Sequence, residues 1–436
     1  MIKSLGIRRE DKSIWERRVP LVPADARALL AAHPALRLVV QPSSQRVHAD
    51  DEWRALGAAL EPDLAPCDVV LGVKEMPASL FRADGIYMFF SHTIKGQDYN
   101  MPMLRRLLEV GASLIDYERI VDDQGRRLVF FGRYAGLAGM IDTLWALGQR
   151  LKELGHATPF AGLRQAYTYR SLDDAKAAVQ AAGAALARDG LPAAFCPLVI
   201  GFAGYGNVSR GAQEICDLLP HREVAPPQLA AAATARDDGR QVIKVVFHEE
   251  HTVRPRDPRA PFDRQEFFAH PERYAAAFRP RAEHLSVLVN CIYWQPASPR
   301  LLTRADAREM WAAGARPKPL VVGDISCDID GGVEFCAKAT QPDHPVYVYE
   351  PAGQKVRDGV AGHGPVVMAV DNLPCELPAE ASQDFSHTLQ PFLPALLRLD
   401  PRAPLAQVVL PQPLRTALLA WRGELTAEYT YLKKSL

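Results

Sequence analysis

The chain has 436 residues, which is more than one ordinary hydrophobic core accommodates, so we expect two domains. Its 48% hydrophobic and 23% charged residues are typical of a soluble globular protein. The 51 basic and 51 acidic residues balance, so no positive excess favours nucleic acid as a partner. No apolar run approaches the ~20 residues that span a bilayer, which excludes a membrane partner at this stage.

The seven cysteines are dispersed, with no CxxC pair and no metal-finger spacing. An odd, scattered set is typical of reduced thiols. The first residues show neither a secretory apolar segment nor an Arg/Ser-rich transit peptide. We therefore expect a cytoplasmic protein that holds no metal.

Residues 1–132 alternate short apolar runs with helical stretches. Strands are predicted at 36–40, 69–73, 86–90, 113–116 and 128–131, and a helix is predicted at 100–110. Alternation of this kind indicates an α/β domain with a mainly parallel sheet.

Two helices follow this first region. An apolar stripe over 136–154 predicts the first, and we place a domain crossing at its start, near 132–136. The second begins with Ser171 as N-cap, with Asp174 three residues later, and Gly190 ends it.

A glycine turn follows the next apolar run, in the sequence LVIGFAGYGNVSRGA at 198–212. Apolar strand, glycine turn and helix together present backbone N–H groups to a pyrophosphate. Ser209 takes the third position of the usual GxGxxG, so a tight turn without a ligand remains an alternative. The predicted cofactor-binding residues of this turn are Gly204, Gly206, Asn207, Val208 and Ser209.

Buried strands are then predicted at 242–247, 286–292 and 320–325, and further strands at 345–349 and 366–370. Helices are predicted at 379–398 and 412–433. The polar stretch 254–281 is an excursion without an assigned role beyond that of a lid. If the last residues return to the first sheet, the first domain is discontinuous.

Lys74 and His92 directly follow two predicted strands of the first domain, where ligands collect in parallel sheets. Lysine and histidine are suited to proton transfer near neutral pH when burial lowers the lysine pKa. Nearby cations suit a substrate with carboxylates, which arginine binds with two parallel hydrogen bonds. Each of these residues taken alone is also explained as an ordinary surface or structural residue. The candidate substrate-binding cations are Arg17, Arg18, Lys95 and Arg127.

Three acids precede a double glycine in the stretch DISCDIDGG at 324–332. The stretch lacks the further oxygen ligands of a calcium loop, so a metal site is disfavoured. Asp324 and Asp328 are instead predicted to face the nicotinamide or its ribose, and Tyr293 is predicted to lie beside them.

Many ordered motifs together resemble the lysine–2-oxoglutarate reductase module, which forms saccharopine. They include WERRVPLVP, LGVKEMP, FFSHTIK, FGRYAGLAGMID, GYGNVSRG and GDISCDIDGG, and the resemblance covers about residues 5–395. In animals and plants this module is the N-terminal part of bifunctional aminoadipate-semialdehyde synthase, within the alanine dehydrogenase/transhydrogenase superfamily.

The resemblance implies two Rossmann-like domains with mainly parallel sheets. A discontinuous substrate domain (1–132 and 333–436) would surround an inserted dinucleotide-binding domain (133–332), with catalysis in the cleft. It further implies that Lys74 and His92 transfer protons, that Arg18 and Arg127 hold substrate carboxylates, and that Phe131 lines their pocket.

The implied activity is formation of saccharopine from lysine and 2-oxoglutarate by NAD(P)H-dependent imine reduction. The alternatives are a lysine-forming saccharopine dehydrogenase, a related opine or amino-acid dehydrogenase, and a non-catalytic nucleotide sensor or scaffold. Because the sequence shows no saccharopine-cleaving module, we expect either that another protein continues the pathway or that this one serves another purpose. Homo-oligomerisation is compatible with the sequence.

The sequence leaves the choice of dinucleotide open. An acid that binds the ribose 2′-hydroxyl is expected after the second nucleotide-domain strand, near 221–226. Glu223 there favours NAD, whereas the neighbouring Arg222 suits the 2′-phosphate of NADP. The tendency of the resembled family favours NADP.

Overall fold

The computed structural model describes residues 2–312 and 318–436. Its strands, numbered in chain order, are β1 Ser4–Ile7, β2 Arg37–Val40, β3 Ala59–Leu60, β4 Val69–Leu71, β5 Ile86–Phe89, β6 Ser113–Asp116, β7 Leu198–Ala203, β8 His221–Glu223, β9 Val242–Phe247, β10 Val253–Pro255, β11 Tyr274–Ala276, β12 Val287–Asn290, β13 Val321–Asp324, β14 Val346–Glu350, β15 Lys355–Asp358, β16 Val366–Met368, β17 Leu418–Trp421 and β18 Glu424–Leu425.

Two of the α-helices, Gly132–Glu153 and Leu172–Asp189, are long, and the others are short. In chain order, the helices are α1 Pro23–Ala32, α2 Asp50–Arg54, α3 Met101–Glu109, α4 Gly132–Glu153, α5 Leu172–Asp189, α6 Asn207–Cys216, α7 Leu229–Thr234, α8 Glu249–Thr252, α9 Arg264–Ala269, α10 Arg279–Ala282, α11 Arg304–Met310, α12 Pro378–Leu389, α13 Leu393–Leu397 and α14 Gln412–Ala417. None of the helices in the described ranges has the length and apolarity needed to cross a bilayer.

The chain divides into two compact units, and the first is discontinuous. Unit 1 comprises Met1–Phe131 and Pro378–Leu436, and unit 2 comprises Gly132–Leu377. The first break follows Phe131, and the predicted crossing was near 132–136. The second lies after Leu377, later than the predicted boundary at 332/333, because β14 and β16 extend the sheet of unit 2.

Unit 1 contains one sheet in the order β18-β17-β6-β5-β4-β1-β2-β3. Strands β1 to β6 pair in parallel, as predicted for an α/β domain. Buried apolar side chains from these strands, from α3 and from residues 385–432 form its core.

Two predicted elements of unit 1 are wrong. The predicted helix at 412–433 ends at Ala417, and β17 then pairs antiparallel with β6. All four β17 side chains are buried, so this apolar segment covers a sheet edge that would otherwise be exposed. Residues 128–131 form no strand, and only an isolated bridge joins Val121 to Arg127.

Unit 2 contains a second sheet, in the order β15-β14-β16-β13-β12-β7-β9-β8. The strands from β16 to β8 in that order are parallel, and β14 and β15 are antiparallel to their neighbours. Strand β9 therefore lies between β7 and β8. Both units have the mainly parallel α/β architecture predicted from the sequence.

The two longest helices of unit 2 show how the sequence determines their ends and packing. Helix α5 begins as predicted, because the Ser171 Oγ accepts a hydrogen bond from the Asp174 N–H. Helix α4 is buried on nearly all sides and crosses α6 closely. A Cβ on Gly211 of α6 would lie 2.1 Å from the Arg133 carbonyl oxygen, so glycine is required at this crossing.

Candidate functional site

The candidate substrate site of unit 1 lies at the carboxyl ends of four neighbouring strands, β1, β4, β5 and β6. Lys74 and Glu75 follow β4, His92 follows β5, and Asp116 ends β6. Lys74 and His92 were predicted to end strands of one sheet, and in the structure these strands, β4 and β5, are neighbours.

Lys74 lies in a partly buried, highly charged position. Its backbone N–H donates to the carboxylate of the buried Glu10 at 3.1 Å. Burial, and after it the positive charge of Arg18, lowers the pKa of the Lys74 ammonium. Among the described residues, no hydrogen bond from Lys74 Nζ to a protein acceptor is found, so the amine has donor capacity for a ligand.

Glu10 is the acid that fixes this segment. Its carboxylate also accepts the Val73 N–H at 2.7 Å and lies 3.5 Å from Arg8. Burial raises the pKa of Glu10 to about 7, although Arg8 acts to lower it. The Glu10 carboxyl, with a pKa raised to about 7, therefore contacts the backbone of Lys74.

His92 is held by Glu75. Its Nδ1 lies 2.7 Å from Glu75 Oε1, and the other Glu75 oxygen accepts from Lys12 at 2.7 Å. Burial acts to raise the pKa of Glu75, but the hydrogen bonds from His92 and Lys12 outweigh it and lower this pKa. An ionised Glu75 selects the ring orientation that directs Nε2 away from the pair.

The backbone of His92 has a φ of 50°, in the left-handed region that side chains other than glycine rarely adopt. Strained positions of this kind cluster at functional sites. The strain brings the ring beside Glu75 directly after the strand ends.

Arg18 is buried and paired with Glu16. The guanidinium donates to both Glu16 oxygens, at 2.7 and 2.5 Å, and lies 4.2 Å from the centroid of the Phe131 ring. Phe131 in turn stacks on Phe385 with the ring centroids 4.6 Å apart. The predicted pair of Arg18 and Phe131 is therefore in contact.

The other predicted cations lie outside this cluster. Arg17 is exposed and donates to the Gln45 carbonyl at 3.2 Å. Lys95 is exposed in the turn after His92. Arg127 is half-exposed and forms an ion pair with Glu118, close to the end of β6.

Asp116 is fully buried beneath the His92 segment. It accepts from the Ser91 hydroxyl at 2.5 Å and from the Glu118 N–H at 2.9 Å. Burial raises its pKa to about 6, against the effect of the Ser91 hydrogen bond. The residue joins the ends of β5 and β6 and so fixes the position of the histidine.

In unit 2 the glycine turn has the geometry of a phosphate cradle. Gly204 has a φ of 97°, and a Cβ there would lie 3.1 Å from the Cys291 carbonyl oxygen. A Cβ on Gly206 would meet no atom within 4 Å, so open space lies in front of α6, which begins at Asn207. The first-turn N–H groups of Asn207, Val208 and Ser209 have no intrahelical acceptors and suit a pyrophosphate.

Ser209, which replaces the third glycine of the fingerprint, is fully buried. Its hydroxyl accepts from the Gln213 side chain at 2.9 Å. Close packing against a neighbouring element, the usual task of the third glycine, is performed by Gly211 two residues later. The serine therefore leaves the phosphate-binding part of the turn intact.

A cavity of about 360 Å³ opens beside this turn, entirely within unit 2. It is lined by the glycine turn, by Phe247–Glu249 after β9, by Ile292–Gln295 after β12, and by α9 of the excursion. Its position outside the carboxyl ends of β7, β9 and β12 is where nucleotides bind in open α/β sheets. The residues present thus fit a dinucleotide.

The structure corrects the predicted ribose-binding position. Arg222 and Glu223 belong to β8, which is an edge strand, and β9 separates it from β7. Neither residue lines the cavity, and Glu223 lies 3.4 Å from the buried Lys244. The prediction assumed that the second strand of unit 2 in chain order, β8, lies next to β7. In the structure the third strand, β9, lies there.

The remaining predicted cofactor residues differ in accessibility. Tyr293 is exposed and lines the cavity. Asp324 is buried and accepts from the Asn290 amide at 2.8 Å, and burial raises its pKa to about 6. Asp328 is partly buried and lies outside the cavity lining.

No group of three or more histidine, cysteine or acidic side chains in the described ranges has the arrangement of a metal site. The seven cysteines, all within the described residues, form no disulfide bond.

Sequence reasoning selected the basic residues of the site and missed the acids that fix them. Glu16 and Glu75 lie in the same short motifs as Arg18 and Lys74, Glu10 lies shortly before the first of them, and a buried cation requires such partners. That requirement is the signal that would have found them. It also missed Tyr205, Glu249 and Arg264, because only the strand order brings these residues together.

Comparisons with known proteins agree with this architecture. Residues 6–138 match the family described as "Alanine dehydrogenase/PNT, N-terminal domain". Among solved structures, an L-alanine dehydrogenase aligns with a TM-score of 0.62 and 15% identity, over 99% of this chain and 98% of that one. A transhydrogenase from Sinorhizobium meliloti aligns with a TM-score of 0.55 and 14% identity, over 97% of this chain and 98% of that one.

Three curated relatives give the sequence comparison. Alpha-aminoadipic semialdehyde synthase of Arabidopsis thaliana is 40% identical over 99% of this chain and 41% of its own length. The mitochondrial enzyme of that name from Bos taurus is 36% identical over 99% of this chain and 47% of its own length. Saccharopine dehydrogenase [NAD(+), L-lysine-forming] of Neurospora crassa is 27% identical over 91% of each chain.

The fold is similar to that of L-alanine dehydrogenase and transhydrogenase, with two Rossmann-like units of which one is discontinuous, and residues 6–138 match the N-terminal domain family of alanine dehydrogenase/PNT. The resemblance to aminoadipate-semialdehyde synthase that the motifs indicated is confirmed along nearly the whole chain. The chain spans less than half the length of those relatives.

Proposed function

We propose that the protein forms saccharopine from L-lysine and 2-oxoglutarate, with a nicotinamide dinucleotide as the reductant. The observation that carries the proposal is the grouping of Lys74 with the His92–Glu75 pair at adjacent strand ends of unit 1. The 40% identity to alpha-aminoadipic semialdehyde synthase supports lysine metabolism as the setting.

The reaction joins the ε-amine of lysine to the keto carbon of 2-oxoglutarate. The amine adds to the carbonyl, water leaves, and the resulting imine takes up a hydride and a proton to become a secondary amine. When bound, the reduced dinucleotide supplies the hydride. The remaining steps are proton transfers, and these are assigned to residues of unit 1.

Lys74 is the proposed proton acceptor for the incoming amine. Its lowered pKa increases the fraction of neutral amine near pH 7, and only that form accepts a proton. His92, with Nδ1 held by Glu75, is the proposed donor to the departing hydroxyl through Nε2. Two groups of this kind allow proton removal and delivery within one turnover.

Arg18 and Arg127 are the proposed partners of the substrate carboxylates. In this structure each arginine is paired with a glutamate, Glu16 or Glu118. A bound carboxylate must therefore share or replace those pairs. Phe131 would keep Arg18 in place during that exchange, because the ring packs under the guanidinium.

The proposal is tested by oxidation of NADPH and NADH with lysine and 2-oxoglutarate, beside a panel of other amines and keto acids. We expect turnover only when both lysine and 2-oxoglutarate are present. The reverse assay, with saccharopine and the oxidised dinucleotides, shows whether the lysine-forming direction of the fungal relatives is favoured instead. Binding of dinucleotide without turnover on any substrate would support the non-catalytic alternative and contradict the proposal.

A further inference from the structure

The excursion between β9 and β12 contributes a wall of the dinucleotide cavity. Its hairpin, β10 and β11, and helix α9 enclose a small core of Val253, Phe267 and Tyr274. Arg264, at the start of α9, lines the cavity together with Phe267 and Phe268. The sequence assigned no specific role to this segment.

Strand order determines which half of a dinucleotide meets this wall. The glycine turn after β7 takes the pyrophosphate, and β9 and β12 flank β7 on opposite sides. In sheets of this type the adenosine ribose lies at the end of the strand next to the glycine turn, on the side away from the switch in strand order. That strand is β9, whose end is followed by His248 and Glu249.

The side chains at the end of β9 form a compact cluster with the glycine turn. The rings of His248 and Tyr205 stack with centroids 4.1 Å apart. The Tyr205 hydroxyl lies 3.2 Å from each oxygen of Glu249. This single donor positions Glu249 beside the Tyr205 ring and leaves its carboxylate able to accept further hydrogen bonds.

Arg264 lies above this cluster. Its guanidinium is 5.6 Å from the centroids of both the Tyr205 and Phe268 rings, and its Nε is 3.9 Å from Glu249. Among the described residues, no closer acceptor for this guanidinium is found. The side chain is 61% exposed, so its N–H groups remain accessible from the cavity.

We propose that Arg264 is the residue that selects NADP, by binding the 2′-phosphate of its adenosine ribose. An arginine matches a phosphate with two parallel charge-assisted hydrogen bonds. The aromatic rings keep the guanidinium at the end of β9, which reduces the entropy lost on binding. This assignment rests on the proposed function for the identity of the ligand as a nicotinamide dinucleotide.

The test is a fluorescence titration of the full chain with NADPH and with NADH, which requires no turnover. We expect tighter binding of NADPH by the unmodified protein. Arg264→Ala should weaken NADPH binding by roughly 10-fold or more and change NADH binding less than about 3-fold. Arg264→Lys should restore part of the difference, because it keeps the charge without the fork.

Arg222→Ala on β8 is the matched control, and it should leave both dissociation constants within about 2-fold. Loss of NADPH preference in Arg222→Ala, equal weakening of both dinucleotides in Arg264→Ala, or tighter NADH binding by the unmodified protein would each overturn the assignment. Because binding is the readout, a selective loss in Arg264→Ala supports it even if saccharopine is not the product.

Discussion

At the scale of single residues, the candidate substrate site combines basic side chains, which are proposed to contact the substrates, with glutamates that hold these segments in place. The Arg18 and His92 side chains contact Glu16 and Glu75, whereas Lys74 contacts Glu10 only through its backbone N–H. Removing one partner of such a buried pair leaves the other charge uncompensated. Glu16, whose pair with Arg18 is buried, is therefore expected to tolerate substitution as poorly as Arg18.

Lys74→Met provides the residue-scale prediction. The variant keeps the length of the side chain but removes the amine, so kcat for reductive coupling should fall by ~10²–10⁴. Binding of NADPH, which is assigned to unit 2, should change less than about 2-fold. Steady-state kinetics and the fluorescence titration measure the two quantities.

Lys3→Met is the matched control, because Lys3 is an exposed lysine of the same unit. It should retain the turnover of the unmodified protein. Turnover at that level in Lys74→Met would remove this lysine from the mechanism.

At the scale of elements, the sequence predicted where strands end but not which strands are neighbours in the sheet. The apolar runs before Lys74 and His92 predicted strands that the structure contains, because a buried parallel strand needs apolar side chains on both faces. Which strands become neighbours depends on packing of the whole sheet. Periodicity along the chain therefore does not show that β9, and not the β8 strand of Arg222 and Glu223, lies next to the glycine turn.

The segment 418–425 is a second case in which the sequence pattern alone does not determine the element. Leu418–Trp421 has the composition of a helix face as well as of a short buried strand, and periodicity cannot distinguish them in so few residues. The free edge of β6, which is remote in sequence, decides the outcome.

Gly211→Ala tests the close crossing of α4 and α6. An added Cβ would lie 2.1 Å from the Arg133 carbonyl oxygen, so the helices must separate. We expect the free energy of unfolding to fall by ~1–3 kcal/mol, despite the ~1 kcal/mol that alanine gains in helix propensity.

Gly162→Ala is the control, because a Cβ there meets no atom within 4 Å. In urea denaturation, the midpoint concentration of this variant should be close to that of the unmodified protein. Equal stability of the two variants would show that α4 and α6 are not in contact as described.

At the scale of the whole molecule, buried acids in both units have raised pKa values. Burial raises the pKa of Asp142 to about 7, and burial together with the charge of Asp142 raises that of Glu376 well above its usual range. This pair lies within unit 2, where Asp142 accepts the Ala166 N–H at 2.8 Å and Glu376 accepts the Tyr167 N–H at 3.1 Å. A shared proton lets both carboxyls remain buried.

These raised values predict how stability depends on pH. A carboxyl with a higher pKa in the folded state binds more protons there than in the unfolded chain, so its stabilising effect is full below about pH 4 and is lost as pH rises toward 7 and above. Glu10 in unit 1 contributes with the same sign. We expect the urea concentration at the unfolding midpoint to decrease as the pH is raised from 5 to 8.

Glu376→Gln should reduce that dependence, because the amide removes one titrating group and still donates to Asp142. The matched variant Glu380→Gln, at a partly exposed position of α12, should keep the slope of the unmodified protein. A midpoint that rises from pH 5 to pH 8, or equal slopes in the two variants, would contradict the description of this pair.

The central claim is that this chain reduces the imine formed from lysine and 2-oxoglutarate. The most direct measurement is mass spectrometry of the products after incubation with both substrates and with NADPH that carries deuterium at its transferable position. We predict saccharopine that carries one deuterium, formed only when both substrates are present. Unlabelled product, or label recovered only in 2-hydroxyglutarate or in no product at all, would contradict the account.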